Sequence, residues 1–207
     1  KAEVIKHLDE VEESAGRIGA VNTIVNEGGR LHGYNTDWLG FIRDLKEFMP
    51  IPGKIFGILG AGGAARAVLF GILSQGGKPV VLNRTADRGE TLAKEFGCPF
   101  WPLSASGTLE ADCLVNTTSV GLAPRLENSP LAERVLGRIS RVVDIIYNPL
   151  ETQLLKDARR AGCQTRSGLG MFVHQGAEQI RLWTGAEPPV ESMKRAVREM
   201  LEKNEKN

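Results

Sequence analysis

Phe56-Gly57-Ile58-Leu59-Gly60-Ala61-Gly62-Gly63-Ala64-Ala65, followed by Val80-Val81-Leu82-Asn83-Arg84-Thr85, decides the fold of this chain. The first stretch is an apolar run that enters a glycine turn and leaves it in a helical pattern. Free N–H groups at such a helix N-terminus form an anion site, suited to the pyrophosphate of a dinucleotide. Gly60 permits the tight turn, Gly62 lets backbone approach phosphate, and Ala65 is small enough for helix and strand to pack closely. G-x-G-x-x-A alone also fits an ordinary packing turn. The second stretch weighs against that reading, because it ends about 20 residues on, where such folds read the adenosine ribose. An acidic residue there would repel a 2′-phosphate. Asn83, Arg84 and Thr85 stand there instead, with Arg88 one helical turn further. The loop Gly60, Ala61, Gly62, Gly63, Ala64 and this basic reader together imply NADP.

Working outward, apolar runs predict strands at 54–59, 78–83, 98–101, 111–116, 141–146 and 163–166. Helical patterns lie between them, clearest at 64–74, 86–96 and 151–161. Alternation of this kind implies an α/β, doubly wound parallel sheet. Upstream, 1–16 reads as an amphipathic helix with Val4, Ile5, Leu8 and Val11 on one face. Ala20–Val25 and Leu31–Tyr34 read as a hairpin turned at Glu27-Gly28-Gly29, and a helix follows over Asp37–Phe48, closed by Pro50 and Pro52. Two last helices, Phe172–Trp183 and Val190–Glu202, precede a polar tail from Lys203.

With 26 basic against 25 acidic residues, the chain shows no electrostatic footprint for nucleic acid. No apolar run is long enough for a membrane span. Cys98, Cys113 and Cys163 are far apart and lack zinc spacing, which suits reduced core thiols in a cytoplasmic protein and no metal. His7, His32 and His174 form no cluster with other ligands, and the first two sit in polar, exposed contexts. Lys1 opens directly into a helical pattern, from which the chain is expected to be the C-terminal part of something longer.

Four stretches resemble the shikimate dehydrogenase family. They are Ile18-Gly19-Ala20-Val21-Asn22-Thr23 with Gly33-Tyr34-Asn35-Thr36-Asp37; the Gly60–Ala65 loop with Asn83-Arg84-Thr85; Val115-Asn116-Thr117-Thr118-Ser119-Val120-Gly121; and Asp144-Ile145-Ile146-Tyr147-Asn148-Pro149 with Gly168-Leu169-Gly170-Met171 and Gln175. The resemblance implies reversible NADP-linked reduction of 3-dehydroshikimate to shikimate, in the pathway to aromatic amino acids. It also implies a Rossmann-type domain over 37–171, the remnant of an N-terminal α/β substrate domain over 1–36, and C-terminal helices over 172–207 that pack back on that remnant. The implied partners are small molecules, not nucleic acid or membrane, and a homodimer is compatible with it.

Hydride transfer to a ketone leaves an alkoxide that needs a proton as it forms. The resemblance implies that Lys1 gives that proton and that Asp37 orients the lysine. Taken alone, Asp37 reads as a helix N-cap and Lys1 as a solvated lysine. Asn22 and Gln175 are amides in apolar contexts and suit the substrate's vicinal hydroxyls, with Tyr147 nearby. Asn116, Thr117, Thr118 and Ser119 end a strand at the mouth of the sheet, where cofactor is expected. Gly168 and Met171 would line the nicotinamide pocket, and Met171 equally suits the core. Alternatives are a quinate/shikimate dehydrogenase, the dehydrogenase part of a bifunctional dehydroquinase–shikimate dehydrogenase, and a non-catalytic NADP-binding module that would need neither Lys1 nor Asp37.

Overall fold

A computed structural model describes residues 1–204. The decisive stretch forms strand β4, Ile55–Leu59, and helix α3, Gly63–Ser74. Phe56 and Ile58 send fully buried side chains to one face of the sheet, and Leu59 goes to the other. That is the period-two pattern of a strand covered on both sides. Each such side chain contributes roughly 1.5–3 kcal/mol by leaving water.

After β4 and α3 come β5 (Lys78–Asn83), α4 (Ala86–Phe96), β6 (Phe100–Pro102), β7 (Cys113–Asn116) and α5 (Glu133–Leu136). Then follow β8 (Arg141–Asp144), α6 (Gln153–Arg160) and β9 (Gln164–Arg166). The six strands lie in the order β6-β5-β4-β7-β8-β9, every neighbouring pair parallel. The chain therefore winds outward one way from β4 and returns to wind the other way from β7, so β4 and β7 flank the switch point where such sheets bind ligands. One face is covered by α3, α4 and α2 (Asp37–Phe48), and the other by α5 and α6.

A second, three-stranded sheet precedes this one, with β1 (Glu10–Val11) parallel to β3 (Arg30–Tyr34) and β3 antiparallel to β2 (Thr23–Glu27). The hairpin expected between 20 and 34 is present, although Ala20 and Val21 lie outside β2. The helix expected over 1–16 is not. A 3₁₀ turn at Glu3–His7, strand β1 and helix α1 (Glu13–Ile18) replace it. The cause is long-range pairing: Asp9 N–H donates to the Leu31 carbonyl at 3.0 Å, and Leu31 N–H donates back to Asp9 Oδ2 at 2.7 Å. Glu12 then caps α1 through Ser14 N and Ala15 N. His32 is also less exposed than expected, half-buried on β3 with Nδ1 3.4 Å from Glu10 Oε2.

Two long helices close the chain, α7 over Leu169–Thr184 and α8 over Val190–Asn204. α7 begins three residues before the expected start, and α8 runs on through Lys203; residues 205–207 of the expected tail lie outside the described residues. α7 lies along α2. A Cβ on Gly40 would stand 2.7 Å from both the Gln175 nitrogen and the Met171 oxygen, so only glycine lets the two helices approach this closely. No helix among the described residues is long and apolar enough to cross a membrane.

Candidate active site

At the switch point, the carboxyl ends of β4, β5 and β7 open into a groove of about 950 Å³. Gly60 adopts φ +108°, and a Cβ there would come within 2.8 Å of Thr117 Oγ1, so glycine is required on both counts. Gly62 is the opposite case. A Cβ there would meet nothing within 4 Å and would only occupy space in the groove. No side chain caps α3, which leaves the N–H groups of its first turn, at Gly63 and Ala64, free for an incoming anion. Thr117, Thr118 and Ser119 form the facing wall, with Thr117 Oγ1 held on the Leu59 carbonyl at 2.6 Å.

Asn83, Arg84, Thr85 and Arg88 line the same groove. Asn83 Nδ2 donates to the Thr85 carbonyl at 2.8 Å, which fixes the turn that presents Arg84. Neither Arg84 nor Arg88 has a protein carboxylate partner among the described residues. Two guanidinium groups without a counter-charge, beside a bare helix N-terminus, fit a phosphorylated dinucleotide.

The second cluster forms where α2 begins. Lys1 Nζ donates to Asp37 Oδ2, and Asn22 Nδ2 donates to Asp37 Oδ1 at 2.8 Å. The carboxylate is 13% exposed, so it keeps a solvent-facing edge while held from two sides. The Lys1 carbonyl accepts from Val21 N–H at 3.1 Å, which ties this residue to the chain just before Asn22. Asp37 is not the cap of α2. Asn35 Oδ1 accepts from the Asp37 and Trp38 N–H groups at 3.0 and 3.4 Å, which releases the Asp37 carboxylate for Lys1 and Asn22. Thr36 joins the group by donating its N–H to Asn22 Oδ1 at 2.9 Å and its hydroxyl to Gln175 Oε1 at 3.5 Å.

Lys1, Asn22, Asp37 and Gln175 are thus brought together from four separate parts of the chain. Tyr147 stays outside this hydrogen-bonded group; it is exposed and stacks on Phe172 with ring centroids 4.0 Å apart. Thr36, Thr23 and Gln179 belong to the cluster but were not expected from the sequence. Gln175 and Gln179 share one face of α7 at i, i+4, and that spacing was the available signal.

Three residues expected at the cofactor, Asn116, Gly168 and Met171, do not line this groove. Asn116 is fully buried, and its side chain is consumed internally, so it does not line the groove. Its Nδ2 donates to Asp144 Oδ1 at 3.1 Å, and its Oδ1 accepts from Thr118 N and Oγ1 at 3.0 and 2.7 Å. It shapes the wall rather than forming its surface. Gly168 and Met171 are also absent from the groove walls. A Cβ on Gly168 would lie 2.0 Å from the Ile145 carbonyl oxygen, and Met171 is 9% exposed in the core beside α2. Behind Asn116, Asp144 also accepts from Ile146 N at 3.1 Å and from Thr152 Oγ1 at 2.7 Å. Burial pushes its pKa up to about 6, against the opposing pull of those three hydrogen bonds.

A parallel six-stranded sheet with a switch-point groove of this kind is the architecture of Rossmann-type nucleotide-binding proteins. The profile of the Shikimate 5′-dehydrogenase C-terminal domain matches residues 168–198. The shikimate dehydrogenase (NADP(+)) of Geobacillus kaustophilus is 46% identical, over 97% of this chain and 76% of that protein. That of Moorella thermoacetica is 47% identical, over 97% of this chain and 72% of that protein. A crystal structure of Thermus thermophilus shikimate 5-dehydrogenase with NADP(H) and shikimate superposes with a TM-score of 0.89 at 42% identity, covering 96% of this chain and 75% of that one. The chain belongs to the shikimate dehydrogenase family.

Proposed function

We propose that this chain carries out the NADP-dependent shikimate dehydrogenase reaction, reducing 3-dehydroshikimate to shikimate reversibly, with Lys1 and Asp37 as its proton-handling pair. The observation that carries this reading is the Asp37 carboxylate, held by Lys1 Nζ on one oxygen and Asn22 Nδ2 on the other. NADPH, when bound in the switch-point groove, would supply the hydride. The bare N-terminus of α3 would hold its pyrophosphate and Arg84 its 2′-phosphate, with Arg88 alongside. The half-exposed Lys1 ammonium is placed to donate a hydrogen bond to a substrate oxygen and to give it a proton as charge develops there. Asp37 keeps that ammonium aimed and offsets its charge. Asn22 and Gln175 present amides to neighbouring hydroxyls, and polar groups of this kind reject analogues that lack those hydroxyls.

The same reading divides the chain into a substrate part over 1–36, a cofactor part over 37–171 and returning helices over 172–207. The two sheets support the first boundary, and the Trp183 indole N–H on the Ile24 carbonyl at 3.0 Å supports the return of α7. Three free cysteines, two of them buried, suit a reducing cytoplasmic setting. Shikimate oxidation, followed as NADPH formation, tests the assignment. Activity with shikimate and NADP(+) is expected, and its absence in a folded enzyme that binds both would overturn it.

A further inference from the structure

Thr23 on β2, 2% exposed, and the half-buried Gln179 on α7 border the Asn22 cluster and have no part yet in this chemistry. We propose that Gln179 is a positioning residue for the substrate site, setting through Thr23 the direction in which the Asn22 amide faces. This rests on the reading of Asn22 as a substrate-binding amide given above.

Gln179 Nε2 donates to Thr23 Oγ1 at 3.1 Å, so that hydroxyl is an acceptor on its α7 side. Its own proton is then free to go to Asn22 Oδ1, 2.9 Å away. Asn22 Oδ1 already accepts from Thr36 N–H at 2.9 Å, and a second donor fixes this atom as the oxygen end of the amide. The NH₂ end must then face Thr36 Oγ1 at 3.0 Å and Asp37 Oδ1 at 2.8 Å. An Asn amide turned over would place its oxygen against the Asp37 carboxylate, two acceptors face to face. The relay Gln179–Thr23–Asn22–Asp37 runs in one donor direction and starts at a helix that also presents Gln175. One turn further along α7, Trp183 Nε1 donates to the Ile24 carbonyl at 3.0 Å, so the helix is anchored on β2 beside the relay.

Gln179→Glu separates direction from packing. The two side chains have nearly the same shape, but an ionised carboxylate only accepts. Thr23 would turn its proton toward residue 179, and Asn22 Oδ1 would lose a donor. The side-chain NH₂ resonances of Asn22 in the ligand-free protein should shift in Gln179→Glu and stay in place in Gln179→Lys, which keeps a donor. In the enzyme, the KM for shikimate should rise about fivefold in Gln179→Glu, the size of one ordinary hydrogen bond. The KM for NADP(+) should not move. In a Thr23→Val background, Gln179→Glu should add nothing further. Unmoved Asn22 resonances, an unchanged shikimate KM, or an equal rise in the Thr23→Val background would each overturn the relay. The resonances report on it whether or not shikimate is the substrate, so a failed relay and a failed functional assignment give different results.

Discussion

Along the groove at the ends of β4 and β5, Arg84 and Arg88 have no carboxylate partner among the described residues, and the N-terminus of α3 has no side-chain cap. At the start of α2 the plan is reversed. Asp37, Asn22, Thr36 and Gln175 are already hydrogen-bonded to one another, and Lys1 completes the set. The first region is built with excess positive potential and gains its missing charge only when an anion arrives. The second pairs its charges internally and must exchange its own hydrogen bonds for those of a hydroxyl-bearing ring. Phosphate groups would therefore be gripped mainly by electrostatics, while ring hydroxyls would be selected by the direction of their hydrogen bonds.

Asp37→Asn should break the second region most severely. An Asn side chain keeps the shape but cannot hold an ammonium as an ion pair, and a lost acid–base partner costs on the order of 10²–10⁴ in rate. Turnover of shikimate should fall by that amount in a protein that still unfolds cooperatively.

Gly40→Ala tests whether the two regions share a frame. The new methyl would meet α7 backbone at 2.7 Å and push apart the helices that carry Asp37 and Gln175. A displacement of about 1 Å can cost a hundred-fold in turnover, and overpacking of this kind costs about 1–3 kcal/mol of stability. Both kcat and the melting temperature should fall, while NADPH affinity at the distant glycine loop should hold.

Arg84→Ala breaks the first region alone. A charge-assisted contact contributes about 1.5–3 kcal/mol, so NADPH should bind roughly ten- to a hundred-fold more weakly. NADH lacks the 2′-phosphate and should lose almost nothing. Parallel titrations of the two cofactors check this, and equal losses would remove Arg84 from the ribose end.

The smallest effect concerns Asp144, which braces Asn116 behind the Thr118 wall of the groove. Its folded pKa is raised to about 6, so its contribution to stability is full below the ordinary carboxylate range and is lost as pH rises through about 6. Asp144→Asn keeps an oxygen for Asn116 and Ile146 and turns an NH₂ toward Thr152. The variant should lose that pH slope and gain on the order of 2 kcal/mol over the parent at pH 8. Urea unfolding of both proteins between pH 4 and 8 gives the comparison.

The two regions were also unequally legible in the sequence. Strand β4, the glycine turn and Arg84 are neighbours in the chain, so local periodicity and a motif exposed the groove. Helix α2 was read to the residue, because its apolar face and the two following prolines are local as well. Lys1, Asn22, Asp37 and Gln175 come together only through folding, and family resemblance alone linked them. Residues 1–16 misled for a related reason. Val4, Ile5, Leu8 and Val11 fit a helical face, but β1 is selected by its pairing with β3, which no local pattern records. Asn116 shows a different limit: a polar residue at a strand end reads as a ligand contact, and no local pattern records that its side chain bonds Asp144 and Thr118.

One region would hold the cofactor and the other would move the proton, and NADPH titrated into Asp37→Asn by calorimetry separates the two. A dissociation constant within about twofold of the parent is expected, alongside the loss of turnover. A tenfold weaker constant would mean that Asp37 supports the groove itself, and the division between the two regions would be wrong.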